Sequence, residues 1–464
     1  MPDLPDQREE RERGGLEQQS EQQRVPPPEA VDDRPGSEAR GECGHGADRE
    51  RQTGCGEGDP PHVVQVDDDE REDDPVAERV DDPAGLDEPD LARQHRVETA
   101  DVIRRRSHGA ANYATRVELE ARVATYELAE TFVISRDSSD ESESVVAELT
   151  HEGQTGYGEG TPIERYYEDG ASAVEFLHEC RGALGGDPFA LDDILGALPA
   201  TPHTQAARAA LDHALHDLCG KLTGLPVWRL LGLHRTGPPT CWTVWLGDPD
   251  DMARRAEAAA PRFQRLKLKL GGRDGLDLER VRAVRAVTEL PLQVDVNEYW
   301  SVDEALEALP ELAGLGVEYC EQPLPEGDAG GARVKAASPI PIYVDEDCHT
   351  LADVAASAER AHGINIKLSK SGGIREAVRM AHAARALGLG VMLGCMTESG
   401  LGISAGAQIA SLCDFVDLDG NLLLLEDPWP GVEFRDGVQL APNKPGLGVE
   451  PVVSLAAERS DGRS

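Results

Sequence analysis

Four lysines and three acidic motifs carry the chemistry this sequence could perform. The lysines fall in two short runs, Arg265-Leu266-Lys267-Leu268-Lys269-Leu270 and Asn365-Ile366-Lys367-Leu368-Ser369-Lys370. Between the runs stand Asp295-Val296-Asn297, Glu321-Gln322-Pro323 and Asp345-Glu346-Asp347, each closing a short apolar segment. The chain holds 46 Lys plus Arg, yet Lys occupies only positions 221, 267, 269, 335, 367, 370 and 444, so most of the lysines sit in the two runs. A buried Lys can lose its proton near neutral pH and an Arg cannot, so lysines kept at such places suggest proton transfer. The competing reading is the ordinary one, a solvated or salt-bridged lysine.

The acids point to a metal. Asp295, Glu321 and Asp345 brought into one dry pocket would repel one another, and a divalent cation relieves that repulsion. Oxygen donors without His or Cys suit Mg²⁺, which keeps open positions for substrate oxygens. Carboxylates on an acidic surface are the competing reading.

What must position these groups is a repeating strand and helix. From Thr240 the chain repeats a strand, a turn and an amphipathic helix, and the landmarks 269, 295, 321, 345, 367, 395 and 417 are 22 to 28 residues apart. Strand-like segments are 240–246, 265–270, 292–296, 319–321, 340–344, 363–368, 390–393 and 415–418. That pattern predicts an α/β fold, a TIM-type (β/α)7β barrel whose chemistry gathers at the C-terminal strand ends. Strand alternation puts Lys267 and Lys269 on one face, at the end of strand two, while Lys367 ends strand six across the barrel. A substrate on a central metal would then have a lysine on either side. Neighbouring positive charge is expected to lower the pKa of these amines toward that of a base.

The organisation around the barrel follows. Residues 1–112 are rich in Asp, Glu, Arg, Gln, Pro and Gly and lack an apolar period, so they are expected to be disordered. They are either a solvating acidic tail or sequence upstream of the true start, although the next Met is Met252. Residues 113–237 predict an α+β capping domain with β-runs at 117–128, 132–134 and 145–149. Gly156-Tyr157-Gly158-Glu159-Gly160 reads as a turn, and 206–218 is the clearest helix. His213 and His216 on that helix read as core or capping residues. Residues 238–425 form the barrel, 426–455 return to the capping domain, and 456–464 are a disordered tail.

Charge and cysteines exclude several functions. A formal net charge of -41, with 31 acidic and 15 basic residues in 1–112 and an acidic remainder, disfavours nucleic acid and anionic membranes and suits high salt. Nine scattered cysteines without a CxxC pair indicate reduced thiols in a cytoplasm. The cluster Cys43, His45 and Cys55 lacks a fourth metal ligand. Met1 to Glu12 is charged and lacks an apolar stretch, and no run of 18 apolar residues appears, so neither export nor membrane insertion is expected.

Taken together, the K-x-K pair, the three acids and Lys367 resemble the muconate-lactonising subgroup of the enolase superfamily, over residues 115–451. Members of that superfamily use a Lys or His base with Mg²⁺. The resemblance implies that Lys269 and Lys367 are the acid/base residues, that Lys267 tunes Lys269, and that Lys370 is a surface or loop-anchoring residue. Asp417-Leu418-Asp419-Gly420 resembles the D-x-D motif with which dipeptide epimerases bind the substrate's α-ammonium group. Cys395-Met396-Thr397-Glu398-Ser399-Gly400 resembles their strand-seven loop. Arg136 is implied to face an acidic substrate side chain such as Glu, against which the acidic stretch Asp137 to Glu143 argues. The expected partners are a small-molecule dipeptide and further copies of the chain, with no nucleic acid and no membrane. An o-succinylbenzoate synthase or muconate cycloisomerase is the first rival, and a non-catalytic interaction protein the second.

Overall fold

The computed structural model describes residues 116–201 and 203–452. The expectations for residues 1–112, for Cys43, His45 and Cys55 and for the tail 456–464 lie outside the described residues.

Eight strands form one sheet in strict chain order: β4 (Trp242–Val244), β5 (Leu266–Lys269), β6 (Leu292–Asp295), β7 (Val317–Glu321), β8 (Ile342–Val344), β9 (Gly363–Lys367), β10 (Gly390–Gly394) and β11 (Phe415–Val416). Every neighbouring pair is parallel, and a parallel bridge from Thr240 to Val416 joins the two outer strands. All four residues of β5 and of β6 are buried, as expected for parallel strands covered on both faces. The helices between strands supply the outer cover. Val302–Gly314 begins in a capping box of Ser301 and Glu304 and buries Ala305, Ala308, Leu309 and Leu312 on one stripe. Tyr319, Tyr343, Met392 and Phe415 pack together and, by alternation, lie one layer beneath the strand-end residues.

A second layer precedes the barrel. The antiparallel strands β1 (Glu118–Val133), β2 (Ser138–His151) and β3 (Gln154–Gly160) pair in that order. Two expectations are corrected here. The runs at 117–128 and 132–134 are one strand with a register shift, and the glycine run is the third strand and no turn. The reason is packing. A Cβ at Gly156, Gly158 or Gly160 would lie 2.4, 2.0 or 2.0 Å from the carbonyl oxygens of Ala214, Ala210 or Ala206. Glycine at alternate strand positions meets alanine at every fourth position of the helix Gln205–Thr223, so strand and helix backbones touch directly.

Beyond β11 the chain makes a hairpin of β12 (Glu433–Arg435) and β13 (Val438–Leu440). Phe434 stacks on Phe263 at 4.9 Å between centroids, which holds this hairpin to the barrel. The chain then reaches the helix Gln205–Thr223, where Leu447 donates its N–H to Asp217 at 2.7 Å. Seven cysteines in the described region are free thiols. Among the described residues no helix is long and apolar enough to cross a membrane.

Candidate active site

The K-x-K alternation does place both amines at the same strand end. Lys267 contacts Glu321 and Asp417 at 2.8 Å and Asp295 at 3.2 Å. Lys269 donates to Asp295 Oδ2 at 2.7 Å and to Asn297 Oδ1 at 3.3 Å. From the sixth strand of the barrel, Lys367 reaches Asp345 Oδ2 at 2.9 Å. β5 and β9 stand four places apart in an order of eight, so these two groups approach from opposite sides. Lys267, Lys269, Lys367, Asn297, Asp417 and Asp419 all line one cavity of about 620 Å³.

Each of the three acids has one oxygen committed to a protein donor. Asp295 Oδ1 accepts from the Asn297 N–H at 3.0 Å, and Glu321 Oε1 accepts from Asn365 Nδ2 at 2.7 Å. Asp345 Oδ1 accepts from Lys370 Nζ. The second oxygens, Asp295 Oδ2, Glu321 Oε2 and Asp345 Oδ2, turn to the lysine amines. Glu321 Oε2 is close to Lys267 but out of line for a hydrogen bond, so it is buried without a directed donor. Among the described residues no three His, Cys, Asp or Glu side chains already grip one point; lysine amines stand between these acids. The donor set itself fits a hard cation, with one carboxylate from each of three neighbouring strands turning an oxygen toward the amines and no nitrogen or sulfur.

The facing carboxylates set the charge of two of the amines. Burial lowers the pKa of Lys267 and Lys367, but the facing carboxylates outweigh it and raise both. Asp345 feels the reverse. Burial opposes its charge, yet Lys367 and Lys370 hold it well below the usual carboxylate range. Glu321 is pushed up to about 7 by burial and then by Asp295.

Of the two roles expected for Lys370, the contacts fit the loop-anchoring one and rule out the surface one. It is 2 % exposed, no surface lysine, and its amine donates to the Asp345 carbonyl and carboxylate, to Cys348 O at 3.1 Å and to Asn365 O at 3.4 Å. The one-turn helix Leu368–Ser371 that follows β9 swings it inward. The D-x-D pair also differs in backbone. β11 ends at Val416 and not at 418 as expected, so Asp417 and Asp419 both lie beyond the strand. Asp419 Oδ2 accepts from the Thr243 N–H at 2.6 Å, and Asp417 takes Cys241 Sγ and Lys267. Burial and the neighbouring Asp417 push Asp419 up to about 7.

Above the cavity, Arg136 is joined by residues that the sequence pattern did not mark. Arg136 reaches the cavity rim and pairs with Glu346 at 2.9 Å and Glu298 at 3.3 Å. Arg165 shares Glu298 at 3.0 Å and also takes Glu326 at 2.9 Å. Glu346 is fully buried, and burial, then Asp345, raise its pKa to about 7. Asn297, Glu298 and Gln322 adopt φ of 47°, 71° and 34°. Non-glycine residues in that region cost backbone energy and cluster at functional sites. Only the motif Asp345-Glu346-Asp347 carried a hint of Glu346. At the back wall, Glu159 of β3 accepts from Ser399 N and Gly402 N at 3.1 and 3.0 Å, at the start of the helix Gly400–Ile409.

Comparison with known proteins agrees with this geometry. Residues 117–232 match the model of the mandelate racemase / muconate lactonizing enzyme N-terminal domain, and residues 251–454 match the enolase C-terminal domain-like model. The chain is 40% identical over 326 residues to L-Ala-D/L-Glu epimerase of Bacteroides thetaiotaomicron, covering 69% of this chain and 85% of that protein. To a hydrophobic dipeptide epimerase of Roseobacter litoralis it is 38% identical over 326 residues, covering 68% and 93%. Among solved structures it resembles a dipeptide epimerase of Enterococcus faecalis complexed with Mg and L-Leu-L-Tyr, with TM-score 0.69, 30% identity and coverage of 72% and 100%. Matched over both of its structural layers, the chain belongs to the enolase superfamily, in the mandelate racemase / muconate lactonizing enzyme family.

Proposed function

We propose that this chain is a Mg²⁺-dependent dipeptide epimerase, an isomerase that inverts the α-carbon of the C-terminal residue of a dipeptide. The single observation that carries this reading is the pair Lys269 and Lys367, on opposite strands of one barrel and lining one cavity with the acids between them. Dipeptide epimerases among the relatives support it.

Asp295, Glu321 and Asp345 would hold Mg²⁺ through the oxygens that now face the amines. When bound, the ion stabilises the negative charge that develops on the substrate carboxylate as the α-proton leaves. One lysine, as the free amine, takes that proton from one face of the α-carbon. The other, as an ammonium, returns a proton to the opposite face, and the centre is inverted. Lys267, fully enclosed by three acids, keeps its charge and fixes Asp417. Asp417 and Asp419 receive the α-ammonium group of the substrate. They also disfavour a cycloisomerase or o-succinylbenzoate synthase, whose substrates carry no such group.

Arg136 is placed to read an acidic side chain of the dipeptide, although Glu298 and Glu346 already share its charge. The free thiols support a cytoplasmic setting and the acid excess a high-salt one. A homo-oligomer belongs to the same proposal and is checked by mass in solution. The test of function is a dipeptide panel in D₂O with Mg²⁺, read by mass and by chirality. The reading predicts exchange of the α-proton with inversion, abolished by a chelator; no exchange with any dipeptide would sink it.

A further inference from the structure

Lys370 takes no part in the proton transfers, and its surroundings are specific. Its amine has no solvent and four oxygen neighbours, the Asp345 carbonyl and Oδ1, Cys348 O and Asn365 O. Three of these belong to the loop that follows β8, and the fourth belongs to β9. A lysine has three donors and no acceptor, so the ammonium is fully spent on this loop and has none left for a substrate. Lys370 does not line the cavity that Lys267, Lys269 and Lys367 share.

The two oxygens of Asp345 are divided between two lysines, Oδ1 to Lys370 and Oδ2 to Lys367. The same division holds at the other two acids, where the Asn297 N–H and Asn365 Nδ2 play the part of Lys370. Asn365 links the last two cases, since its side chain fixes Glu321 while its carbonyl accepts from Lys370. A backbone amide and a side-chain amide are neutral donors. At Asp345 the donor is a full charge, the strongest orienting partner of the three.

We infer that Lys370 is a positioning residue. It reserves Oδ1 of Asp345 and pins the loop after β8 to the end of β9, so that Oδ2 alone is presented to the centre shared with Lys367. The inference rests on the reading of Asp345 as a Mg²⁺ ligand. Removing the amine takes a donor from a buried carboxylate oxygen and from three carbonyls, of which only that of Asp345 keeps a second donor outside the strands, the Cys348 N–H at 3.1 Å, and Asp345 is then free to turn away from the centre.

The test compares the wild type with Lys370→Met and Lys370→Gln, measuring Mg²⁺ affinity by calorimetry, folding by circular dichroism and turnover at rising Mg²⁺. Loss of a residue that orients a ligand typically weakens metal binding about tenfold or more. Both variants are expected to fold and to bind Mg²⁺ at least about tenfold more weakly. Their half-saturating Mg²⁺ for turnover rises in step, while the rate at saturating Mg²⁺ falls by a smaller factor. A smaller change in affinity overturns the inference. So does failure of both variants to fold in saturating Mg²⁺, because the role assigned is to one carboxylate and its loop and not to the barrel. A wild type that binds no Mg²⁺ removes the metal reading itself, which is a distinguishable result.

Discussion

Beneath the cavity, Lys267, Lys269, Lys367, Asp295, Glu321 and Asp345 are all under a tenth exposed and each charge faces an opposite one. Above it, Arg136, Asp137, Glu141 and Glu143 are exposed, and the ion pairs that exist there join loops of different strands. The lower region rests on strand ends, whose backbone is fixed by the sheet. The upper region rests on the β1–β2 turn and the loops after β6, β7 and β8. Buried pairs lose several kcal/mol when one partner is removed, about 3–5, whereas exposed pairs contribute about 0–1. The molecule therefore separates a rigid reaction floor from an adjustable roof, and substitutions in the two should differ in kind as well as size.

The floor should break first. Lys269→Ala or Lys367→Ala is expected to lower the epimerisation rate by about 10³-fold, within the usual contribution of a general acid/base group. Circular dichroism is expected to show both variants folded. Loss of turnover without loss of fold is what separates a reacting amine from a merely buried one.

The joint between floor and roof gives the next effect, on stability. His213 donates through Nδ1 to the Glu159 carbonyl at 2.7 Å, and Glu159 in turn holds the start of Gly400–Ile409. Burial lowers the pKa of His213 from 6.5 to about 4. The unfolded chain thus binds the extra proton first as pH falls, so stability from the neutral ring is complete above about 6.5 and is lost toward pH 4. The full loss is on the order of 3 kcal/mol at 1.36 kcal/mol per unit. The gap in melting temperature between wild type and His213→Asn should narrow on going from about pH 7 to about pH 4.5. A gap that stays constant would separate this ring from acid unfolding.

The roof should yield the smallest effect. Because Glu298 and the buried Glu346 already neutralise it, Arg136→Gln is expected to raise KM for an acidic dipeptide by about fivefold or less, at roughly 1 kcal/mol for a contact at the solvent-facing rim. An uncharged dipeptide should be unaffected, and kcat should not move. A large fall in kcat would place Arg136 with the floor and erase the distinction.

The floor was legible in the sequence and the roof was not, for a physical reason. Lysines two apart on a strand must share a face, and an acid at every strand end recurs with the βα period, so local pattern predicts convergence. The burial of Lys370 and its hold on Asp345 escaped because a single helical turn after Lys367 redirects it, which no strand rule anticipates. Asp417 and Asp419 reach the cavity by a different backbone from the one expected; Thr243 and Cys241 of the first strand region hold them there. The glycine strand was misread because glycine more often marks a turn. Its meaning lies in the alanine face of a helix about fifty residues later in the chain. Arg136 and Glu298 are 162 residues apart, and nothing local in the sequence announces such a pairing.

The central claim is that two amines act on opposite faces of one carbon, and single variants in D₂O address it most directly. With Lys269→Ala and Lys367→Ala each offered both epimers of one dipeptide, α-proton exchange is followed by mass without requiring inversion. Opposed bases predict that one variant exchanges only one epimer and the other variant only its mirror configuration, neither converting one into the other. Exchange of the same epimer by both variants, or epimerisation by either at a rate near that of the wild type, would contradict it.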